Sequence, residues 1–110
     1  MHLTHRVEGS WLLVDLEGDF DLHSADYFRQ AIEEALNHSK CNKLVLNLAG
    51  VSFLDSSGLG VILGRYRRLK EQNGEMYIAQ ATPSVKSVLQ LSGIMKLIPV
   101  YDSVTQVLTK

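Results

Sequence analysis

The segment FLDSSGLGVILG, residues 53–64, holds the residue types of this chain that could do chemistry. An acidic residue and two serines, at 55–57, stand directly before glycines at 58, 60 and 64. A serine held at the start of a helix could act as a nucleophile, help to bind a phosphate, or itself accept a phosphate group. Each of these chemistries requires something different from the rest of the sequence.

A nucleophilic serine is the first alternative. The nucleophile elbow of α/β-hydrolases requires glycine two residues before and two residues after the serine, but Leu54 occupies the first of these positions around Ser56. A base is required as well, and the histidines at 2, 5, 23 and 38 have no neighbours that mark one of them as the partner of a serine. Only the second glycine of the motif, Gly58, is present. A small hydrolytic α/β protein therefore stays open as an alternative.

Phosphate binding is the second alternative. Residues 58–64 form the pattern GxGxxxG, whereas the dinucleotide fingerprint is GxGxxG with an acidic residue after the next strand, where this chain has Gln80. A GxxxxGK[ST] loop is absent from the sequence. A helix N-terminus attracts anions through its free N–H groups. Weak nucleotide binding thus stays open, while no dedicated cofactor and no metal site is expected.

A purely structural role is the third alternative. Serine is a preferred N-cap, so Ser56 and Ser57 could simply cap the following helix. Gly60 and Gly64 are four residues apart and share one helix face. Each glycine inside a helix costs roughly 0.5–1 kcal/mol relative to alanine. Close packing of this face on the sheet or on a neighbouring helix would offset that cost.

A serine that accepts phosphate is the fourth alternative. Ser56 follows an apolar strand and precedes a helix, so its hydroxyl should be held in one place at the edge of the sheet. A phosphate there would add about −1.5 to −2 charges, which the positive end of the helix tolerates. Modification would leave the fold intact and act on a docking partner.

Alternating strands and helices must position this motif. An opening hairpin is followed by helices and strands in turn, which predicts an α/β domain with a mixed sheet and helices packed on it. Thr82 and Pro83 form a strong helix start, and Asn73 with Gly74 forms a stop. The predicted strands are 3–7, 11–16, 44–48, 76–79 and 97–100, and the predicted helices are 24–37, 57–73, 82–93 and a last one capped by Asp102.

Composition excludes several classes of protein. The chain has 110 residues, which suits one domain over residues 1–110, and 11 basic against 12 acidic residues. The formal net charge of −1 argues against nucleic-acid binding and against a polybasic membrane anchor. The first residues lack the apolar core of a signal peptide, and the apolar runs are far shorter than the ~20 residues of a membrane span. A single cysteine, Cys41, fits a reducing, cytoplasmic compartment.

Three segments carry a resemblance over essentially the whole chain: LEGDFDLHSA (16–25), LVLNLAGVSFLDSSGLGVILGRYRRLKEQNGEMYIA (44–79) and ATPSVKSVLQLSGIMKLI (81–98). The sequence resembles the STAS domains of bacterial anti-sigma factor antagonists, most closely those of the sporulation type that act on the anti-sigma-F factor. The resemblance implies a single STAS domain, in which a small mixed sheet of about four to five strands is flanked by about four helices.

The resemblance also implies a function without enzymatic activity. The unphosphorylated antagonist would bind an anti-sigma factor that is also a GHKL-type serine kinase, and so release a sporulation sigma factor. The kinase would inactivate the antagonist by phosphorylating it, and a separate serine phosphatase would restore it. A STAS module serving another sigma factor or a stress-signalling complex stays open as an alternative.

The resemblance assigns roles to individual residues. Ser56 is the expected phosphate acceptor, Asp55 precedes it, and 57–59 (Ser57, Gly58 and Leu59) open the helix that docks on the kinase. Asp21 matches a family position near the same surface. The residues before it, Asp19 and Phe20, differ from the common Gly-Glu-Leu-Asp pattern of the family.

Two residues of the following helix have alternative interpretations. Arg65, with Val61 and Arg68, falls outside the apolar stripe that contains Ile62 and Leu69, and is therefore expected to face solvent or the partner. It could pair with a carboxylate of the partner or be an ordinary solvated arginine. Leu59 could belong to the core, as its helical position favours, or be an exposed anchor for the partner.

Overall fold

The computed structural model describes residues 2–109, in which five strands and four α-helices alternate after an opening hairpin. The elements are β1 (His2–Glu8), β2 (Trp11–Phe20), α1 (Ala25–Ser39), β3 (Lys43–Leu54), α2 (Ser56–Glu71), β4 (Glu75–Ala79), α3 (Pro83–Leu91), a 3-10 turn (Ile94–Lys96), β5 (Val100–Tyr101) and α4 (Val104–Leu108). The predicted single domain over 1–110 includes Met1 and Lys110, which lie outside the described residues.

The strands form one mixed sheet in the order β1-β2-β3-β4-β5. β1 runs antiparallel to β2, and the remaining neighbours are parallel. The hairpin closes with Glu8 opposite Trp11, and Gly9 between them has φ +61°, a conformation that glycine adopts without steric cost. The predicted α/β class, with a mixed sheet and helices packed on it, is confirmed.

The two faces of the sheet are covered unequally. One face packs against α1, α2 and α3 in a large core to which the central strand contributes Leu44, Leu46 and Leu48. The opposite face carries a smaller cluster in which Val45 meets Val107 of the short helix α4. β3 is therefore apolar on both sides, as its nearly continuous hydrophobic run predicts.

β2 and β3 are longer than the predicted strands 11–16 and 44–48, and they end at Phe20 and Leu54. Glu17 pairs with Gly50 and Phe20 with Leu54, and two register shifts interrupt the ladder before Phe20. The backbone groups at the ends of both strands thus pair with the neighbouring strand, which the local sequence does not indicate. Both strands end at the same edge of the sheet, directly before the loops of the site.

The C-terminal third differs from prediction mainly at its boundaries. Thr82 accepts a hydrogen bond from the Val85 N–H at 3.4 Å, which confirms the predicted start of α3. That helix ends at Leu91, and Gly93, with φ +82°, leads into the 3-10 turn that was not predicted. β5 is accordingly shorter than expected and shifted, because Val100–Tyr101 shares only Val100 with the predicted strand 97–100.

The start of α4 is also corrected. Ser103, and not Asp102, is its N-cap, because the Ser103 hydroxyl accepts a hydrogen bond from the Gln106 N–H at 3.2 Å. No helix between residues 2 and 109 is both long enough and apolar enough to cross a bilayer.

Candidate functional site

Asp55 is the N-cap of α2. Its Oδ1 accepts hydrogen bonds from the Ser57 N–H at 2.9 Å and from the Gly58 N–H at 3.2 Å, which satisfies two of the free donors of the first turn. The interpretation that Ser56 or Ser57 caps the helix is therefore wrong. The acidic residue has that role, and both serines follow it within the helix.

Ser56 is exposed at the first position of α2, where the chain leaves the central strand. Its hydroxyl has no hydrogen-bond partner among residues 2–109. Ser57 beside it is half-buried. The structure thus presents one serine oxygen to solvent at a fixed point, which is the geometry required of a serine that another protein modifies.

Gly58 is the glycine of the motif that packs closely. A Cβ at this position would lie 2.5 Å from the Phe20 carbonyl oxygen and 2.6 Å from Leu54 Cδ1. A Cβ at Gly60 or Gly64 would meet nothing within 4 Å. The expectation that the face of Gly60 and Gly64 packs against the sheet or a neighbouring helix is therefore wrong. These two glycines leave the backbone of α2 open to solvent instead.

Asp21 lies in the loop that follows β2, next to the start of α2. The two loops are joined by a hydrogen bond from the Asp55 N–H to the Phe20 carbonyl at 3.3 Å. Asp21 Oδ1 accepts from the N–H groups of His23 at 2.9 Å and Ser24 at 3.2 Å, so its carboxylate holds the turn into α1. The structure thus brings the expected Asp21 loop to the serine motif.

An apolar groove runs beside Ser56. Leu59 and Leu63 of α2 form one wall, and Ile94 and Leu97 beyond α3 form the other. The groove has a volume of about 330 Å³, and Leu97 at its rim is 50% exposed. Leu59 is half-buried: it packs against the core, as its helical position predicts, and also lines this groove. We call this site, with Ser56 at its end, the apolar groove.

Arg65 was expected to face solvent or the partner, but its side chain lies against α1. Its side chain is only 11% exposed and lies 3.4 Å from Glu33 of α1, with which it forms an ion pair. Burial lowers the pKa of the Arg65 guanidinium, and the Glu33 carboxylate offsets part of this effect. Arg68 is 60% exposed and reaches the other oxygen of the same carboxylate at 3.8 Å.

A second groove lies between α1 and α2. Its charged residues are Arg29, Glu33, Arg65 and Arg68, and Gly60 and Gly64 leave the α2 backbone open along it. We call it the basic groove. The contact of Glu33 with Arg65 and Arg68 of α2 was not predicted from the sequence. The spacing of four residues between Arg29 and Glu33 indicates an ion pair within α1. No such local pattern indicates that α2 lies beside Glu33.

The residues of the apolar groove that lie beyond α3 were also missed. They come from the 3-10 turn and its surroundings, about 40 residues from the serine motif along the chain. Among residues 2–109, no group of three or more His, Cys, Asp or Glu side chains is arranged to hold a metal ion.

The fold and the serine motif at the start of α2 are shared with a family of small α/β domains. A family model for the STAS domain matches residues 2–107, and the chain belongs to this family. The anti-sigma F factor antagonist of Paenibacillus polymyxa is 41% identical over 99 residues, which cover 90% of this chain and 85% of that protein.

Two solved structures extend the comparison. The unphosphorylated form of the anti-sigma factor antagonist SpoIIAA matches with a TM-score of 0.81 and 25% identity, covering 97% of this chain and 93% of that one. The phosphorylated form of the Bacillus cell fate determinant SpoIIAA matches with a TM-score of 0.74 and 24% identity, covering 98% and 97%. At that identity the second match shows the fold alone.

Proposed function

We propose that this protein is an anti-sigma factor antagonist of the sporulation type, controlled by phosphorylation of Ser56. The observation that carries the proposal is the exposed Ser56 hydroxyl, which begins α2 but takes no part in capping it. The identity of 41% to an anti-sigma F factor antagonist supports the choice of partner. The protein would act by binding and not as an enzyme, in the cytoplasm and without a cofactor.

The unphosphorylated protein would bind an anti-sigma factor of the GHKL kinase type through the start of α2 and thereby release the sigma factor. Leu59, beside Ser56 in the apolar groove, would lose contact with water on docking, which favours association. Asp55 and Asp21 contribute by holding Ser57, Gly58 and the neighbouring loop in place. Arg65 contributes through its ion pair with Glu33, which fixes the opposite side of α2.

Phosphorylation would reverse this binding. The Ser56 oxygen attacks the γ-phosphorus of the kinase-bound ATP, ADP leaves, and the serine proton passes to a base of the kinase. The phosphate adds about −1.5 to −2 charges at one end of the apolar groove. Burying these charges against the partner would cost free energy unless the partner pairs them, so the complex separates. A serine phosphatase would hydrolyse the ester and restore the free hydroxyl.

Three variants test the proposal. The chain, Ser56→Ala, Ser56→Asp and the control Ser57→Ala are each incubated with the anti-sigma factor of the same organism and ATP. Mass spectrometry locates the phosphate, and titration measures affinity for the partner. We expect the parent and Ser57→Ala to be phosphorylated at Ser56, and Ser56→Ala to bind without modification. Ser56→Asp should fold but bind at least about tenfold more weakly, because its carboxylate must be desolvated on docking.

Two results would contradict the proposal. Phosphate found on the Ser56→Ala variant would move the acceptor to another residue. Equal affinity of Ser56→Asp and the parent would show that charge at this position does not control binding. Titration against the other anti-sigma factors of the organism distinguishes the sporulation partner from a stress-signalling one, since the proposal requires the former to bind most tightly.

A further inference from the structure

The basic groove has a surplus of positive charge. Arg29, Arg65 and Arg68 all approach the single carboxylate of Glu33, at 3.7, 3.4 and 3.8 Å. Within residues 2–109, the only other acidic contact of these arginines is Asp26, which pairs with Arg29 at 3.6 Å and is almost fully exposed. Burial is the main cause of the lowered pKa of Arg65, and the charges of Arg68 and Arg29 lower it further because the positive charges repel one another across the groove. An added carboxylate would relieve that repulsion.

The backbone of α2 is accessible along the same groove. Gly60 and Gly64 are exposed, and a Cβ on either would meet no atom within 4 Å. Glycine inside a helix is destabilising, and neither residue offsets its cost by packing inside this chain. The absence of side chains at both positions lets another protein approach α2 closely, between the arginines.

The basic groove is continuous with the Ser56 site. Ser56 and Gly60 are one helical turn apart, and Gly60 borders both the apolar groove and the basic groove. A protein that covers Ser56 and extends one helical turn along α2 would therefore reach the border of both grooves. The chain itself has a formal net charge of −1, so this local surplus of positive charge is confined to one region of a slightly acidic molecule.

We propose that the basic groove is a second docking surface for the anti-sigma factor, and that an acidic side chain of this partner lies over Gly60 and Gly64 and pairs with Arg68. This inference rests on the proposed function, because it takes its occupant to be the protein that acts on Ser56. The partner would thus hold α2 from two sides, by apolar contact on one and by ion pairing on the other.

A charge reversal with a matched control tests this surface. Arg68→Glu is compared with Arg6→Glu on β1, whose side chain is 58% exposed and also contacts two carboxylates, on the sheet face opposite α2. We expect Arg68→Glu to weaken binding to the anti-sigma factor about tenfold or more, and Arg6→Glu to change it less than about twofold. Parent binding should weaken as salt rises, and the Arg68→Glu variant should lose most of that salt dependence.

A second variant tests the close approach. Gly64→Leu places a large side chain in the open space beside the arginines, and Gly64→Ala places a small one there. We expect the leucine variant to keep its circular dichroism spectrum and to bind the partner about tenfold more weakly, with alanine intermediate.

The outcomes separate this inference from the proposed function. Failure of the parent chain to bind the anti-sigma factor would overturn both. If the parent and the Arg68→Glu variant bind the anti-sigma factor with equal affinity, only the inference about the basic groove is overturned. A parent dimer in light scattering that Arg68→Glu converts to a monomer would assign the groove to a second copy of this chain, and would also overturn the inference.

Discussion

Gly58 and Gly60 are two residues apart in one helix and have opposite surroundings. Gly58 lies against the Phe20 carbonyl and Leu54, where even one added carbon has no room, whereas Gly60 lies in open space. The helix therefore needs its first glycine for packing. The second is dispensable for the fold of the isolated chain.

A pair of alanine substitutions tests this contrast. We expect Gly58→Ala to lower the free energy of unfolding by about 1–3 kcal/mol, because Phe20 and Leu54 must move to admit the Cβ. Gly60→Ala should raise it by about 0.5–1 kcal/mol, since alanine has the better helix propensity and meets no atom. Urea denaturation of both variants measures these changes. Destabilisation by Gly60→Ala would contradict the conclusion that Gly60 is dispensable for the fold.

At the scale of elements, α1 and α2 are joined by one partly buried ion pair. Glu33 and Arg65 lie 3.4 Å apart, and the guanidinium is largely removed from water. A buried charge that loses its partner keeps its cost of desolvation, so such a pair is more sensitive to single substitution than one on the surface. Asp26, whose side chain is 91% exposed, forms a contrasting pair with Arg29 at 3.6 Å.

Removing one charge from each pair shows the difference. We expect Glu33→Gln to lower the free energy of unfolding by about 1–3 kcal/mol, because Arg65 is left without a counter-charge. Asp26→Asn should change it by less than about 0.5 kcal/mol, as is usual for exposed pairs. Thermal and urea denaturation provide the measurement. Equal effects of the two substitutions would mean that the Arg65 guanidinium is solvated.

The elements themselves were largely predictable from sequence, because their signals are local. The apolar stripe of α2 and the Thr82–Pro83 start of α3 depend on residues within one or two turns. The errors fall where distant segments meet. Nothing in the neighbourhood of Gly50 indicates that it pairs with Glu17, and the contact of Arg65 with Glu33 spans two helices. The serine motif was found from sequence, but its cap and its packed glycine were not.

At the scale of the whole molecule, the sheet separates the proposed site from the smaller core. α2 and both grooves lie on the face with the large cluster, whereas α4 closes the other face through Val107, which is 0% exposed. A change beneath α4 should therefore alter stability without reaching the surface around Ser56.

The substitution Val107→Ala tests this separation. We expect the free energy of unfolding to fall by about 1–3 kcal/mol, because the cavity left beneath α4 removes contacts with the sheet. Affinity for the anti-sigma factor, measured well below the melting temperature, should equal that of the parent. The exposed Thr105→Ala is the control on the same helix. Weaker partner binding by a folded Val107→Ala protein would show that the two faces are coupled.

The capping of α2 by Asp55 has a consequence for the amount of protein in a cell. A serine that capped its own helix would exchange its cap hydrogen bonds for bonds to phosphate oxygens once esterified, so the stability of the two forms, and with it their rate of degradation, would differ. Here the cap bonds belong to Asp55, which the proposed phosphorylation of Ser56 would leave unchanged. The pool could then pass through many rounds of modification with constant abundance, so that the ratio of the two forms, and not the quantity of protein, carries the signal.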